Sequence, residues 1–399
     1  MRIGILDGFR GWFLVCMTMG HLALLIGSSF GRKLNHQFGF PDVAQGFVLL
    51  SGLIIGIVYG RRLLYRSEQT MRQSLFARIR TVYKWHALLL VAIFVSTLLI
   101  PNGPVHFIWG DRPALSLAMG LTLLSGPMFI NILPMYIVFM ALTPLALRAL
   151  RDGREITVVV LSVLAWLAVQ VGLVDWVQSG IAALTGLAGQ DVDLGLYLDR
   201  FAWQILYFGG LIVGMRIAQD RLDLSFLKTR TATAAFALCL IIAAAILTLT
   251  ILRNEGRFPL ETAEWLDQIF ERRTLTPLAL IEFLAVAYIF VWLLTVGNAS
   301  SLWPVRQLTK GIRMVMEWRP MVFLGQHSLQ VYTWHVGLCY LVMLGGWPWI
   351  RELPVWPREA ITVALMLTLF VAAWLNARQS KPKPANTKAR SAEQPVPSQ

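Results

Sequence analysis

Apolar residues dominate this chain in long runs, broken at intervals by short clusters of basic and polar positions. Ala234 to Ile251 and Val363 to Leu375 are typical of the runs. Each approaches the roughly 20 residues that an α-helix needs to cross about 30 Å of hydrocarbon. The pattern predicts ten membrane-spanning helices, at 9–27, 42–60, 82–100, 132–150, 155–174, 201–219, 229–252, 276–296, 320–345 and 358–377. Glycines and polar groups interrupt several of them, which is the mark of helices packed on one another rather than bathed in lipid. Pro113 to Met128 is apolar but short, and reads as a re-entrant or interfacial segment. The expected fold is an all-α, polytopic membrane helix bundle.

Basic residues set the orientation. Arg61, Arg62, Arg66, Arg72, Arg78, Arg80 and Lys84 fall between the second and third spans or at the start of the third, and Arg148, Arg151 and Arg154 lie at or after the end of the fourth. With the N-terminus inside, about 24 basic residues lie on the cytoplasmic side and about 10 outside. Ten spans then return the C-terminus to the cytoplasm. The expected division is a membrane domain over 1–378 and a polar, Pro-rich cytoplasmic tail over 379–399, too poor in apolar residues to pack. Met1 to Gly27 lacks a small-residue cleavage site and reads as the first span rather than a secretory signal.

Composition agrees. Of 399 residues 56% are hydrophobic and 14% charged, against about 25% charged in ordinary soluble domains. The net charge of +13 follows topology and is no nucleic-acid footprint. Cys16, Cys239 and Cys339 lie inside apolar runs and provide no disulfide framework. The six histidines show no metal-ligand spacing, so no metal is expected.

The first span carries the chemistry. Asp7 and Arg10 are three residues apart and share a helix face. Arg10 and His21, eleven apart, return to within about 20° of that face, separated by about 16 Å along the axis. A stripe of carboxylate, guanidinium and imidazole inside the hydrocarbon faces a cavity or a partner, because facing lipid is costly. The plainer alternative makes Arg10 an interfacial anchor and His21 a core histidine bonded to a carbonyl.

Four motifs in order decide in favour of chemistry. LDGFRGWFLVCMTMGH (Leu6 to His21), GFVLLSGLIIG (Gly46 to Gly56), FARIRTVY with Arg78 and Arg80, and FLGQHSLQVYTWH (Phe323 to His335) resemble the signatures of the acyltransferase-3 family of integral-membrane acyltransferases. Together with NILPMYIVFMALTPLAL (Asn131 to Leu147), they are most similar to its OpgC branch, associated with succinyl transfer to osmoregulated periplasmic glucans. Leu329 stands where that family usually has an aromatic, and His327 precedes Ser328.

The resemblance implies an inner-membrane, multi-pass O-acyltransferase. It would move an acyl group, expected to be succinyl, from a cytoplasmic acyl-CoA co-substrate to hydroxyls of a periplasmic glucan. No bound cofactor is implied. His21 is the expected general base, Arg10 an aid to donor binding, and Asp7 the group that orients Arg10. Tyr332 and His335 join the catalytic set. Arg78 and Arg80 are candidate contacts to the donor's phosphates. Ser51, Gly52, Ser328 and the intramembrane Glu282 are supporting residues, Glu282 as a partner of Arg10 or a histidine. A cation such as His327, Arg32 or Arg112 would meet the free succinyl carboxylate. The competing readings are O-acetylation of a lipopolysaccharide or exopolysaccharide, and transport of a glycan or lipid without chemistry. Oligomeric state is not legible.

Overall fold

The computed structural model describes residues 4–29, 43–100, 112–184, 186, 199–345 and 347–379. Arg32 and the tail beyond residue 379 lie outside them. Among the described residues the elements are helical, and eight are long and apolar enough to cross a membrane. The helices are α1 (Gly4–Ile26), α2 (Val43–Tyr65), α3 (Glu68–Leu99), α4 (Pro113–Leu121), α5 (Ile132–Arg151), α6 (Glu155–Gln170), α7 (Leu173–Leu184), α8 (Arg200–Ala218), α9 (Arg230–Asn254), α10 (Leu260–Ile269), α11 (Pro277–Thr295), α12 (Trp303–Met316), α13 (Arg319–Gln326), α14 (Ser328–Leu344), α15 (Trp347–Glu352) and α16 (Val355–Gln379).

Three departures from the expected spans have local causes. The basic segment before the third span is helical, not loop. Ser67 caps α3 by accepting from the Thr70 amide at 3.1 Å, so Arg72, Arg78, Arg80 and Lys84 all ride on one 32-residue helix. The fifth span is two helices bent by 75°, with Gly172 at φ 95° between them, a left-handed value that suits glycine. The expected span 320–345 is interrupted at His327, which separates α13 from α14. The helix α12 was not anticipated. Its apolar and basic residues alternate with helical period, which suits an interfacial rather than a spanning helix.

Glycines set the two tightest contacts. A Cβ on Gly8 would overlap the Met316 carbonyl, one on Gly11 the Met321 carbonyl, and one on Gly325 the Asp7 carbonyl. Helix α1 therefore meets the end of α12 at Gly8, and α13 at Gly11 and Gly325, backbone to backbone. The seam between α2 and α8 is similar: Gly52 and Gly56 face Tyr207 and Leu211 carbonyls, and Gly210 and Gly214 face Leu49 and Leu53 carbonyls. Lipid gives helices no hydrophobic reason to associate, so close van der Waals approach has to hold them. Gly52 thus serves packing, with the buried Ser51 beside it.

The seam predicts a difference between two like substitutions. Gly52→Ala should lower thermal stability in detergent by about 1–3 kcal/mol, through overpacking against backbone. Gly209→Ala, where a Cβ meets open space, should not. Equal melting temperatures for the two variants would remove the seam from the account of stability.

Candidate functional site

The site is assembled on α1 and α14, with a returning segment between α4 and α5. His21 Nδ1 lies 2.8 Å from His335 Nε2. His335 is wholly buried, whereas His21 is half-buried. The direction of that bond follows from a third group. His335 Nδ1 lies 3.0 Å from the Tyr332 backbone carbonyl, which can only accept, so Nδ1 carries the proton. Neutral His335 then has a bare Nε2, which accepts from His21 Nδ1–H. His21 is left with its lone pair on Nε2, in a residue that is not wholly buried. Two histidines expected separately from the sequence form one oriented pair.

The segment from Arg112 to Asn131 enters the bundle and supplies the wall beside His21. The Phe129 ring lies 4.3 Å, centroid to centroid, from the His21 ring. Backbone in hydrocarbon must be hydrogen-bonded within the protein, and here aromatic side chains do it. Tyr332 Oη donates to the Phe129 carbonyl at 2.7 Å and Tyr340 Oη to the Met128 carbonyl at 2.7 Å. On the far side, His86 Nε2 donates to the Gly120 carbonyl at 3.0 Å and Tyr83 Oη to the Leu121 carbonyl at 3.0 Å. Phe129 sits at φ 72° and Leu123 at φ 65°, conformations that cost about 1–2 kcal/mol in a residue with a Cβ. These bonds hold the segment in that shape. Tyr332 is therefore a positioning residue whose hydroxyl is already committed.

Below the pair, Arg10 reaches from α1 to α14 and its guanidinium donates to Ser328 Oγ. The same guanidinium lies 5.7 Å from the Phe47 ring centroid. Its electrostatic neighbours are Tyr136, Arg78 and Asp7. Tyr136 in turn neighbours Tyr59, over which the Arg62 guanidinium lies at 5.0 Å. Arg62, Tyr59, Arg78, Tyr136 and Arg10 thus belong to one electrostatically linked group of cations and phenols. Two guanidiniums beside one carboxylate make the Arg10 region an anion-attracting one.

Other expected residues are placed elsewhere. Arg80, two residues from Arg78, projects about 200° away on α3. It is exposed and lines a surface groove of about 610 Å³ with Glu68, Arg72 and Phe76. Glu282 is wholly buried on α11, but the carboxylate beside Arg10 is that of Asp7, and the two histidines bond each other. His327 sits at the α13–α14 break, where Asn376 Nδ2 donates to its Nδ1 at 2.7 Å. Arg112 is exposed at the start of α4.

Sequence reasoning missed Phe129, Tyr136, Tyr340 and Cys339, since an aromatic or a thiol within an apolar run carries no mark of its own. Cys339 lies one turn past His335. Its Sγ and ring nitrogens of His21 and His335 fall within 4.8 Å of one another, a grouping that could hold a metal ion. The two nitrogens at 2.8 Å are, however, closer than the separation of about 3.3 Å that two nitrogens 2.0–2.1 Å from a tetrahedral zinc would have.

A family model described as OpgC protein matches residues 2–381. No curated protein and no solved structure matches the chain.

The committed hydroxyl of Tyr332 predicts that Tyr332→Phe leaves the Phe129 carbonyl unpaired. The cost is about 1–3 kcal/mol of stability, read as a lower melting temperature, with faster amide exchange in residues 125–131. Unchanged exchange there would mean that the segment holds its shape without Tyr332.

Proposed function

The chain belongs to the OpgC family, and on that premise we propose that it is a membrane-embedded O-acyltransferase that transfers succinyl groups from cytoplasmic succinyl-CoA to hydroxyls of a periplasmic glucan. It works in the bacterial inner membrane, with both termini cytoplasmic. The observation that carries the reading is the oriented His21–His335 pair, which leaves a lone pair on His21 Nε2. The eight helices long and apolar enough to cross a membrane among the described residues and the electrostatically linked group of cations and phenols around Arg10 support it further.

The chemistry follows from the proton positions. A sugar hydroxyl is a weak nucleophile at neutral pH and needs a base. The hydroxyl proton moves to His21 Nε2 as the oxygen attacks the thioester carbonyl. The tetrahedral intermediate collapses, the carbon–sulfur bond breaks, and the proton on His21 passes to the departing thiolate. An ester and free coenzyme A result, and His21 returns to its starting form. While His21 is charged, its Nδ1–H remains bonded to His335 Nε2, and the Tyr332 carbonyl holds His335 in the tautomer that accepts. The arrangement repeats the logic of a base oriented by a third group, with an imidazole in place of a carboxylate.

Arg10 and Arg78 hold the donor's anionic groups, and Tyr136 and Tyr59 line its approach. Asp7 and Ser328 fix the direction of Arg10. Ser51 and Gly52 act through the α2–α8 seam, and Arg80 meets the donor, if at all, outside the membrane.

Mass spectrometry of periplasmic glucans from cells with and without the gene tests the assignment. Succinyl substituents should be lost without the gene and in His21→Ala, and His335→Gln should slow transfer about 10²–10⁴-fold at unchanged protein abundance. Loss of acetyl instead of succinyl would keep the enzyme class and change the donor. Unmodified glucans in every strain would defeat the acceptor assignment.

A further inference from the structure

Two arginines that the chemistry above does not use converge on the far end of α1. Gly27 follows that helix at φ 72°. A Cβ there would touch Arg351 Nε at 3.6 Å and Arg358 Nη1 at 3.7 Å, so both guanidiniums lie against one point. Arg351, in the last turn of α15, is exposed, and Arg358, in the first turn of α16, is half-buried. Arg358 Nη1 donates to the Arg351 carbonyl at 3.1 Å, which ties the two residues together. Arg358 Nε is buried and has no hydrogen-bond partner among the described residues.

The carboxylate next to Arg358 in the chain is engaged by other donors. Glu359 accepts from Ser28 Oγ, the Ser29 amide and Ser29 Oγ at 2.5–2.9 Å. This clasp fixes the start of α16 to the residues that follow α1, and the arginines are held with it. A cation near a helix C-terminus is favoured by the helix dipole, but Arg358 bonds a carbonyl of α15 rather than one of α1. Two like charges held close repel each other, and an anion between them offsets that cost.

Their position relates them to the histidine pair. Ile350, next to Arg351, packs in one apolar cluster with Leu22, next to His21, and with Cys339, one turn past His335. Phe129, from the wall of the site, and Ile361, one turn past Arg358, pack against the same cluster. The arginines therefore flank the outer end of the apolar packing that adjoins the pair, in the orientation proposed above. Gly27 is six residues past His21, about 9 Å farther along the helix axis. A succinyl group in transfer does not bridge that gap, since its two carboxyl carbons are separated by three bonds of about 1.5 Å each. A carboxylate on a neighbouring sugar of the same glucan is under no such limit.

We propose that Arg351 and Arg358 form an anion site on the acceptor side, which holds a succinyl carboxylate already carried by the glucan while another hydroxyl of that glucan meets His21. The inference rests on the succinyl reading above. Each transfer leaves a free carboxylate on the product, so a glucan substituted once presents the group that the site takes. A guanidinium offers a carboxylate two parallel N–H groups. In Arg358 the edge formed by Nε and Nη2 provides them, because Nη1 is the nitrogen bonded to the Arg351 carbonyl. A neutral sugar hydroxyl makes a weaker bond to the same edge, since hydrogen bonds between charged groups are about twice as strong. The site therefore favours adding a further succinyl group to a substituted glucan over adding the first to a bare one.

The test uses purified full-length protein in phosphatidylcholine nanodiscs, whose headgroups carry no net charge. Succinyl-CoA and acetyl-CoA serve as donors, and unmodified or singly succinylated glucan as acceptor. With succinyl-CoA the wild-type protein should have the higher kcat/KM on succinylated glucan. The ratio of kcat/KM for succinylated to unmodified glucan should fall about 10-fold in the double variant Arg351→Gln, Arg358→Gln, as expected for losing a charged hydrogen bond at its weaker end. Replacing both arginines by lysine should retain part of the ratio. Arg351 is exposed, so Arg351→Gln alone should fold and show a smaller fall of the same kind if the double variant does not. A wild-type protein that uses the two acceptors equally would overturn the inference. Equal losses on both acceptors would make the arginines structural and overturn it too. Transfer from acetyl-CoA but not from succinyl-CoA would defeat the succinyl reading, and the inference with it. Intact wild-type protein that transfers from neither donor would defeat the acyltransferase reading itself.

Discussion

The contact between the backbones of α1 and α13 is the constraint from which the site follows. Gly11 on one helix and Gly325 on the other leave no room for a Cβ, so the two helices cross in close-packed contact. That crossing brings the start of α14 beside α1 and lets Arg10 reach Ser328. Helices are stiff and rise about 1.5 Å per residue. The register of α1 against α14, set where Arg10 reaches Ser328 at the start of that helix, is therefore still held at His21 and His335, where the two rings meet at 2.8 Å. The glycines of the first motif and of the last are one packing device. The polar residues that alternate with them take their positions from it.

A second constraint is the scarcity of hydrogen-bonding partners inside a bilayer. The segment between α4 and α5 brings irregular backbone into the bundle, and Tyr332, Tyr340, Tyr83 and His86 each donate to one of its carbonyls. This arrangement makes the wall of the site rigid, and it commits the Tyr332 hydroxyl to structure rather than to proton transfer. It also gives the histidine pair its direction. The Tyr332 carbonyl fixes the proton on His335, His335 fixes the proton on His21, and the His21 lone pair is left on Nε2. Rigidity and chemistry here have a common origin in the need to satisfy every buried polar atom.

Parts of the site were legible before any coordinates. The shared face of Asp7, Arg10 and His21 follows from helical period alone, as does that of Ser328 and His335 seven residues apart. The donor-side position of Arg78 was anticipated too, but the sequence paired it with Arg80, and the 200° between them puts only Arg78 beside Arg10. A loop has no faces, so the distinction needed the finding that this segment is helix. The break at His327 was invisible because 320–345 has the composition of one span, and hydropathy does not register a single non-helical residue. The returning segment was suspected from its length. Its role was not, since Phe129 and Met128 contribute through backbone carbonyls, which every residue possesses.

What the sequence by itself determined is the class of molecule: an all-α membrane bundle, its helices near their observed places, and the polar residues that cannot face lipid. These are local properties, set by hydrophobic run length, helical period and the cost of charge in hydrocarbon. Only the tertiary structure decided which polar groups meet. That Arg10 bonds Ser328 across 318 positions, and His21 bonds His335 across 314, depends on how rods pack rather than on what any rod contains. Burial gives a polar residue a strong need for a partner, and the packing of the helices settles which one it finds.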